Sequence, residues 1–415
     1  MRLTKSFIAC AIWTVSAVGL PTTSRTADKH WLATWTATTQ EVQPSNLPPS
    51  PFGGASADFQ FRNTTLRQTV RVSVGAERLR FQFSNLFGLT DLPITAASVA
   101  LPEGGVAGVG EIDTSTIKGL TFDGADSLTI PPGEIVYSDP IDYPVPALTN
   151  IAISIYSAEG QKGVNITGHP GSRTTSWFET GDQVNAPSVS DASVERWYLI
   201  SAVEAWAPKR EVGLVILGDS ITDGRGSTDN ANNRWPDALA ERLYQNKVTH
   251  VAVNNQAAGG NRVLLDETGP ALITRYHRDA IGQKGVKYVM IFEGVNDIGM
   301  AATNDSTQTQ IFNDLVDAYI QIIRDCKETG LVTIGATITP FANSGYGDSR
   351  RERTRLQVNE WILNESPFDH TLDFASFIGD GDALKPEFDS GDHLHPNPAA
   401  YRELAASFDL EIFRR

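Results

Sequence analysis

Cysteine is nearly missing from this chain, with two residues in 415, Cys10 and Cys326. Cys10 falls in an N-terminal stretch that reads as a removable signal, so a mature chain keeps Cys326 alone and forms no intramolecular disulfide. A chain of this length buries enough apolar surface to fold without one. Cys326 sits on an amphipathic helical pattern over 311–327 and reads as a packing residue. No Cys/His cluster has the spacing of a zinc site. Positive charge is also in deficit, with 34 Lys and Arg against 49 Asp and Glu and a formal net charge of −15. Such a surface repels polyanions, which argues against nucleic acid and anionic membrane surfaces as main partners. Past Leu20 there is no apolar run long enough to span a bilayer. Internal repeats and low-complexity tracts are absent as well.

What is present begins with an address. Arg2 and Lys5 precede an apolar stretch over 7–20, followed by a polar one over 22–26. This is the layout of a secretory signal peptide over about 1–24, with the cleavage point unfixed. Without a stop-transfer segment behind it, the expectation is a secreted, extracellular protein with no integral membrane association. Sequons at Asn63, Asn165, Asn304 and Asn364 agree with export, and would carry glycans in a eukaryotic source.

The length suits two domains, and the chain changes character near residue 208. In the first part Val70, Val72 and Val74 alternate with polar residues, Gly75-Ala76-Glu77 reads as a turn, and Leu79, Phe81 and Phe83 alternate again. The pattern predicts an antiparallel hairpin with one buried face. Ile151, Ile153 and Ile155 repeat it. Short strands with frequent turns and no helix predict a β-sandwich, jelly-roll-like, over 30–207. In the second part apolar strands over 212–217, 248–254, 288–292 and 332–338 alternate with helical patterns. Ser349 and Glu352 are a candidate capping box for one helix, and Asn397-Pro398 a cap and first position for the last. The alternation predicts a parallel sheet covered on both faces over 208–415. Sites in such sheets form at the carboxyl ends of the strands.

The polar residues that follow those strands are therefore the candidates. Gly218-Asp219-Ser220 comes first. A serine at a strand-to-helix turn can expose its hydroxyl, yet taken alone the triplet reads first as a helix cap. It is not the Gly-x-Ser-x-Gly elbow of α/β-hydrolases. Gly259-Gly260-Asn261-Arg262 follows the second strand, and paired glycines let a backbone N–H approach a ligand. Gly294-Val295-Asn296-Asp297 follows the third; an Asn amide can donate to an oxyanion, and the same residues suit an ordinary turn. Asp392-His393-Leu394-His395-Pro396 stands before the last helix. A neutral imidazole with a carboxylate three residues earlier can accept a serine proton. A metal site on Asp392, His393 and His395 is the weaker reading, since no further ligands support it.

Taken together and in this order, the four blocks resemble the SGNH hydrolase superfamily, the GDSL esterases and lipases, over about 212–415. The resemblance implies a flavodoxin-like three-layer α/β/α domain without metal or organic cofactor. It implies Ser220 as nucleophile and His395 as base, with Asp392 orienting that base. The oxyanion donors it implies are the amides of Ser220 and Gly260 and the side chain of Asn296. Gly259 is the neighbouring alternative donor, and Ala257 stands where the family often has glycine. His393 is an extra histidine; His395 keeps the Asp-x-x-His-Pro spacing. The N-terminal part is similar to the accessory domain of longer secreted members through Trp31, Trp35 and the segment 64–83, the tryptophans reading first as core. His169-Pro170-Gly171-Ser172-Arg173 is a candidate to reach the cleft from that domain. The expected activity is hydrolysis of a carboxylic ester through an acyl-enzyme, most of all deacetylation of a carbohydrate or polysaccharide. The alternatives are a lipase or short-chain acyl esterase, and a carbohydrate-binding protein with a vestigial hydrolase domain.

Overall fold

Alternating apolar residues build the first half of the molecule. The computed structural model describes residues 28–414, so the expected signal segment 1–24 and Cys10 lie outside the described residues. Seven principal strands come first: β1 (Lys29–Thr36), β2 (Thr64–Arg71), β3 (Ala76–Ser84), β4 (Ala96–Pro102), β5 (Asn150–Ser157), β6 (Ser176–Thr180) and β7 (Ile200–Pro208). One antiparallel sheet has the order β1-β7-β3, extended by two short strands on β3. The other places β6, β2, β5 and β4 side by side. Leu79, Phe81, Phe83, Val203 and Ala205 from the first sheet share one core with Leu66, Val70, Val99, Ile153 and Ile155 from the second. Two sheets facing each other over one apolar layer make a sandwich.

The expected hairpin across Gly75-Ala76-Glu77 does not form. β2 and β3 are consecutive, but they belong to opposite sheets. β2 instead pairs with β5 over eight residues, from Thr64 against Ser157 to Arg71 against Asn150. Alternation reports which face of a strand is buried and not which strand it pairs with. Between the strands, the Val72 amide donates to the Thr149 carbonyl and the Ser73 amide to the Thr34 carbonyl, which carries the chain from one sheet to the other.

The second half is a parallel sheet of β8 (Val212–Gly218), β9 (Val251–Ala257), β10 (Val286–Phe292), β11 (Val332–Ala336) and β12 (His370–Leu372). Its order, β9-β8-β10-β11-β12, is the flavodoxin-type order, with the direction of winding reversing between β8 and β10. Every residue of β8 is buried, as a strand covered on both faces requires. Two expectations shift here. The second strand runs three residues further along than 248–254, ending at Ala257, and β12 is too short to show an apolar run. The covering helices include α1 (Ser220–Asp223), α2 (Trp235–Gln245), α3 (Val295–Met300), α4 (Asp305–Glu328), α5 (Ser349–Asn364) and α6 (Pro398–Ser407). Cys326 is buried on α4. The cap of α5 is Asp348, which accepts the amides of Arg350 and Arg351; Ser349 is already helical, and Glu352 pairs with Arg355. Asn397 caps α6 as expected from Asn-Pro, accepting the Ala399 and Ala400 amides. Among the described residues no helix is long and apolar enough to cross a membrane.

The two halves have separate cores, and on that ground we propose the division 30–207 and 208–415. They meet along β9, an edge strand of the parallel sheet. Its outward polar groups are met by the sandwich: Ser73 Oγ accepts the Val253 amide at 3.0 Å, and the Ala33 carbonyl accepts Asn254 Nδ2 at 3.0 Å. Leu32, Val74 and Ala207 pack on Ala252 between them. An open edge is thereby covered rather than left to pair with another chain.

Candidate active site

β8 ends at Gly218, and the chain turns directly into α1. Asp219 caps that turn, accepting the Ile221 amide at 2.9 Å, and Ser220 takes the first helical position. A first-turn amide has no acceptor within its own helix, so the Ser220 N–H is free for a ligand. The cap and the hydroxyl are thus different residues: Asp219 satisfies the helix and Ser220 faces the cleft.

At the far end of the chain Asn397 holds the preceding loop, donating to the carbonyls of Glu387 and Asp389. That loop brings His395 to Ser220 across 175 positions, with Nε2 2.8 Å from the serine Oγ. His395 Nδ1 lies 2.7 Å from Asp392 Oδ2. The other carboxylate oxygen of Asp392 accepts the His395 amide at 2.8 Å and the Leu394 amide at 3.1 Å. Burial works against ionisation of Asp392, but these bonds and the ring outweigh it and hold its pKa down to about 2. Burial pushes the His395 pKa below its usual value, opposed by Asp392 and assisted by the charges of Arg225 and Arg173. The imidazole is therefore neutral near pH 7, with Nδ1–H donating to Asp392 and Nε2 free to accept from serine. His393 points elsewhere, its Nδ1 2.5 Å from Asp389, so Asp392, His393 and His395 do not converge on one point.

The oxyanion candidates surround the same hydroxyl. Gly259, Gly260, Asn296, Ser220 and His395 all line one cleft of roughly 550 Å3. Gly260 has φ +74°, a conformation that favours glycine, and its N–H has no acceptor among the described residues. Asn296, on α3, spends one amide hydrogen on the Asn261 carbonyl at 2.8 Å, while its Oδ1 accepts the Tyr346 hydroxyl at 2.9 Å. The carboxamide is held from both ends with one N–H left over. Asp297 fixes the glycine loop by accepting the Val263 and Leu264 amides at 2.8 and 3.0 Å. Burial lifts Asp297 to about 6 even so, and lifts Asp219 to about 7 and Glu293 to about 8, the latter two eased by the nearby buried Arg275.

The sandwich domain also reaches this cleft. Gln40, Asn46, His169, Pro170, Gly171 and Arg173 form part of its wall. His169 Nε2 is 2.9 Å from Asp223 on α1, and its Nδ1 is 2.7 Å from the Thr38 carbonyl. A Cβ on Gly171 would sit 1.8 Å from Asp223 Oδ2, so the loop approaches α1 only with glycine there. Three contributors were not read from sequence. Asp297 was visible in Gly-x-Asn-Asp but read as turn chemistry, whereas Tyr346 and the Asp223–His169 contact join segments with no sequence signal between them.

Residues 216–403 match the family described as GDSL-like Lipase/Acylhydrolase. No curated protein matches the chain. Solved structures similar to it include an acetylxylan esterase from Geobacillus stearothermophilus, 21% identical, covering 50% of this chain and 97% of that one with a TM-score of 0.38. A lipase/acylhydrolase from Enterococcus faecalis is 22% identical over 49% of this chain and 95% of its own, TM-score 0.38. A GDSL-like lipase from Bacteroides thetaiotaomicron is 17% identical over 48% and 86%, TM-score 0.35.

Proposed function

We propose that the ester hydrolase formed by the GDSL-like lipase/acylhydrolase domain at 216–403 works through an acyl-enzyme on Ser220. The observation that carries this reading is the chain of contacts from Ser220 Oγ to His395 Nε2 at 2.8 Å and from His395 Nδ1 to Asp392 at 2.7 Å. Ser220 Oγ attacks the ester carbonyl while Nε2 takes its proton. The oxyanion is held by the amides of Ser220 and Gly260 and by Asn296 Nδ2. The imidazolium, stabilised by Asp392, returns its proton to the leaving alcohol, and water releases the acid by the same route. No step calls for a metal or cofactor.

The acyl group is small and the alcohol is a carbohydrate. The cleft wall supports this: Gln40, Asn46, Thr268 and Ser344 offer hydrogen bonds, and Leu394 and Pro170 are nearly its only aliphatic members. A long acyl chain needs apolar lining, whereas sugar hydroxyls need donors and acceptors. A protein exported to the extracellular space would meet acetylated polysaccharides there. The test is labelling of Ser220 by a serine-reactive phosphonate, followed by turnover of acetylated xylan, acetylated pectin and p-nitrophenyl esters of rising chain length. Absence of labelling would remove the enzyme reading in favour of a binding protein. A rate that rises with chain length would remove the carbohydrate reading and leave the lipase.

A further inference from the structure

Among the described residues one cation in the cleft makes no ion pair. The carboxylates there are both engaged, Asp223 with His169 and Asp392 with His395. Arg225 lies 3.9 Å from Asp392 with its side chain largely exposed. Arg173 makes no ion pair among the described residues, and its Nε is buried without any hydrogen-bond acceptor. An unmet buried donor on a charged group is costly, and it is rare where nothing completes it.

The backbone around Arg173 is fixed as well. Its φ is +50°, uncommon for a residue with a side chain and a mark of local strain. The turn is locked by Ser172 Oγ, which bonds the Thr174 amide and carbonyl, and by the Asn230 amide, which donates to the Arg173 carbonyl at 2.9 Å. Arg225 is anchored too, its carbonyl accepting the Tyr401 hydroxyl at 2.5 Å. Both arginines line the same cleft as Ser220 and His395. A protein of net charge −15 repels anions, which makes a cleft cation without an ion pair a local exception.

We propose that Arg173, together with Arg225, binds a carboxylate carried by the substrate, so that this esterase prefers esters of acidic compounds. The proposal rests on the acyl-enzyme reading above. The planar guanidinium fork matches a carboxylate in shape and charge, and both arginines line the cleft that holds Ser220. The carboxylate could sit on the sugar, as in a uronic acid, or on the acyl group, as in a hemisuccinate. The chemistry at Arg173 is the same.

Two substrate pairs separate these sources. Acetylated methyl glucuronoside is compared with acetylated methyl glucoside, and p-nitrophenyl hemisuccinate with p-nitrophenyl butyrate. We expect one pair to show at least about a tenfold higher kcat/KM for its acidic member, carried mainly by KM and shrinking with added salt. In Arg173→Gln that preference should fall to within about twofold, and Arg173→Lys should recover part of it. Phosphonate labelling of each variant shows whether the site is still assembled, which separates misfolding from a lost contact. Equal turnover within both pairs by the labelled wild-type protein overturns the proposal, and so does a preference that survives Arg173→Gln. A wild-type protein that is not labelled at all overturns the acyl-enzyme reading first.

Discussion

Two segments meet at the cleft, one from each domain, and each carries a buried histidine bonded to an aspartate. In the C-terminal loop His395 Nδ1 meets Asp392 and Nε2 meets a hydroxyl. In the sandwich segment His169 Nδ1 meets the Thr38 carbonyl and Nε2 meets the Asp223 carboxylate. A carbonyl and a carboxylate are both acceptors, so the His169 ring is held between two fixed groups and faces no hydroxyl. His395 faces one acceptor and one group that can donate, so it makes both bonds with a single proton. On the proposed mechanism the same pair of residue types is a base in one place and a strut in the other, and the difference lies in the third partner.

The sharpest way to break the comparison is to remove each ring in turn. His395→Ala should lower kcat on the order of 10^4-fold or more with the fold intact, and Ser220→Ala should do the same without adding to it. Steady-state kinetics alongside circular dichroism checks this. If His395→Ala kept a tenth of the activity, the base would have to be another group. Asn296→Ala comes next, with an expected loss of about a hundredfold or more in kcat and little change in KM, because an oxyanion donor acts mainly in the transition state. His169→Ala should act on stability. It leaves Asp223 buried without its partner, for which about 3 kcal/mol is the usual cost of breaking a buried pair, and kcat should fall by about tenfold or less. A urea titration that moved less than about 1 kcal/mol, with a large loss of kcat, would reverse the roles assigned to the two histidines; that threshold is roughly the average cost of a point substitution.

pH sharpens the contrast without a mutation. On the proposed mechanism His395 must be neutral to accept the serine proton, and burial lowers its pKa below the ordinary 6.5. The sign follows: kcat/KM is full above that lowered value and falls as pH drops through it. The acidic limb of the pH–rate profile should therefore lie below 6.5. Asp392, held near 2, stays ionised across that limb and adds no second inflection. An acidic limb above the ordinary histidine value would mean that the carboxylate of Asp392, or a further one, outweighs burial at the ring.

How much of this was legible depended on how local the signal was. Ser220, Asn296 and the Asp392–His395 pair each lie at a strand end or a helix entry, where short-range chemistry leaves a mark. The order of the parallel sheet was implied by the family resemblance that those marks carry. The pairing of β2 was not legible, because alternation is blind to partners. The cap of α5 was misplaced by one residue because Asp348 and Ser349 both suit the position, and only the backbone decides. The segment 169–173 was flagged as a candidate to reach the cleft, but its fit against α1 depends on Gly171 meeting Asp223, a contact between domains 52 positions apart.

Tyr346 is the smallest test and the most specific. Its hydroxyl donates to Asn296 Oδ1 at 2.9 Å, which orients the amide so that Nδ2 faces the cleft. Tyr346→Phe removes that bond and leaves the ring in place. The expected effect is a fall in kcat of about three- to tenfold, the size of one neutral hydrogen bond, with KM nearly unchanged. In an Asn296→Ala background the same substitution should cost nothing further, since the amide it positions is gone. Additive losses in the double variant would mean that Tyr346 touches the substrate directly.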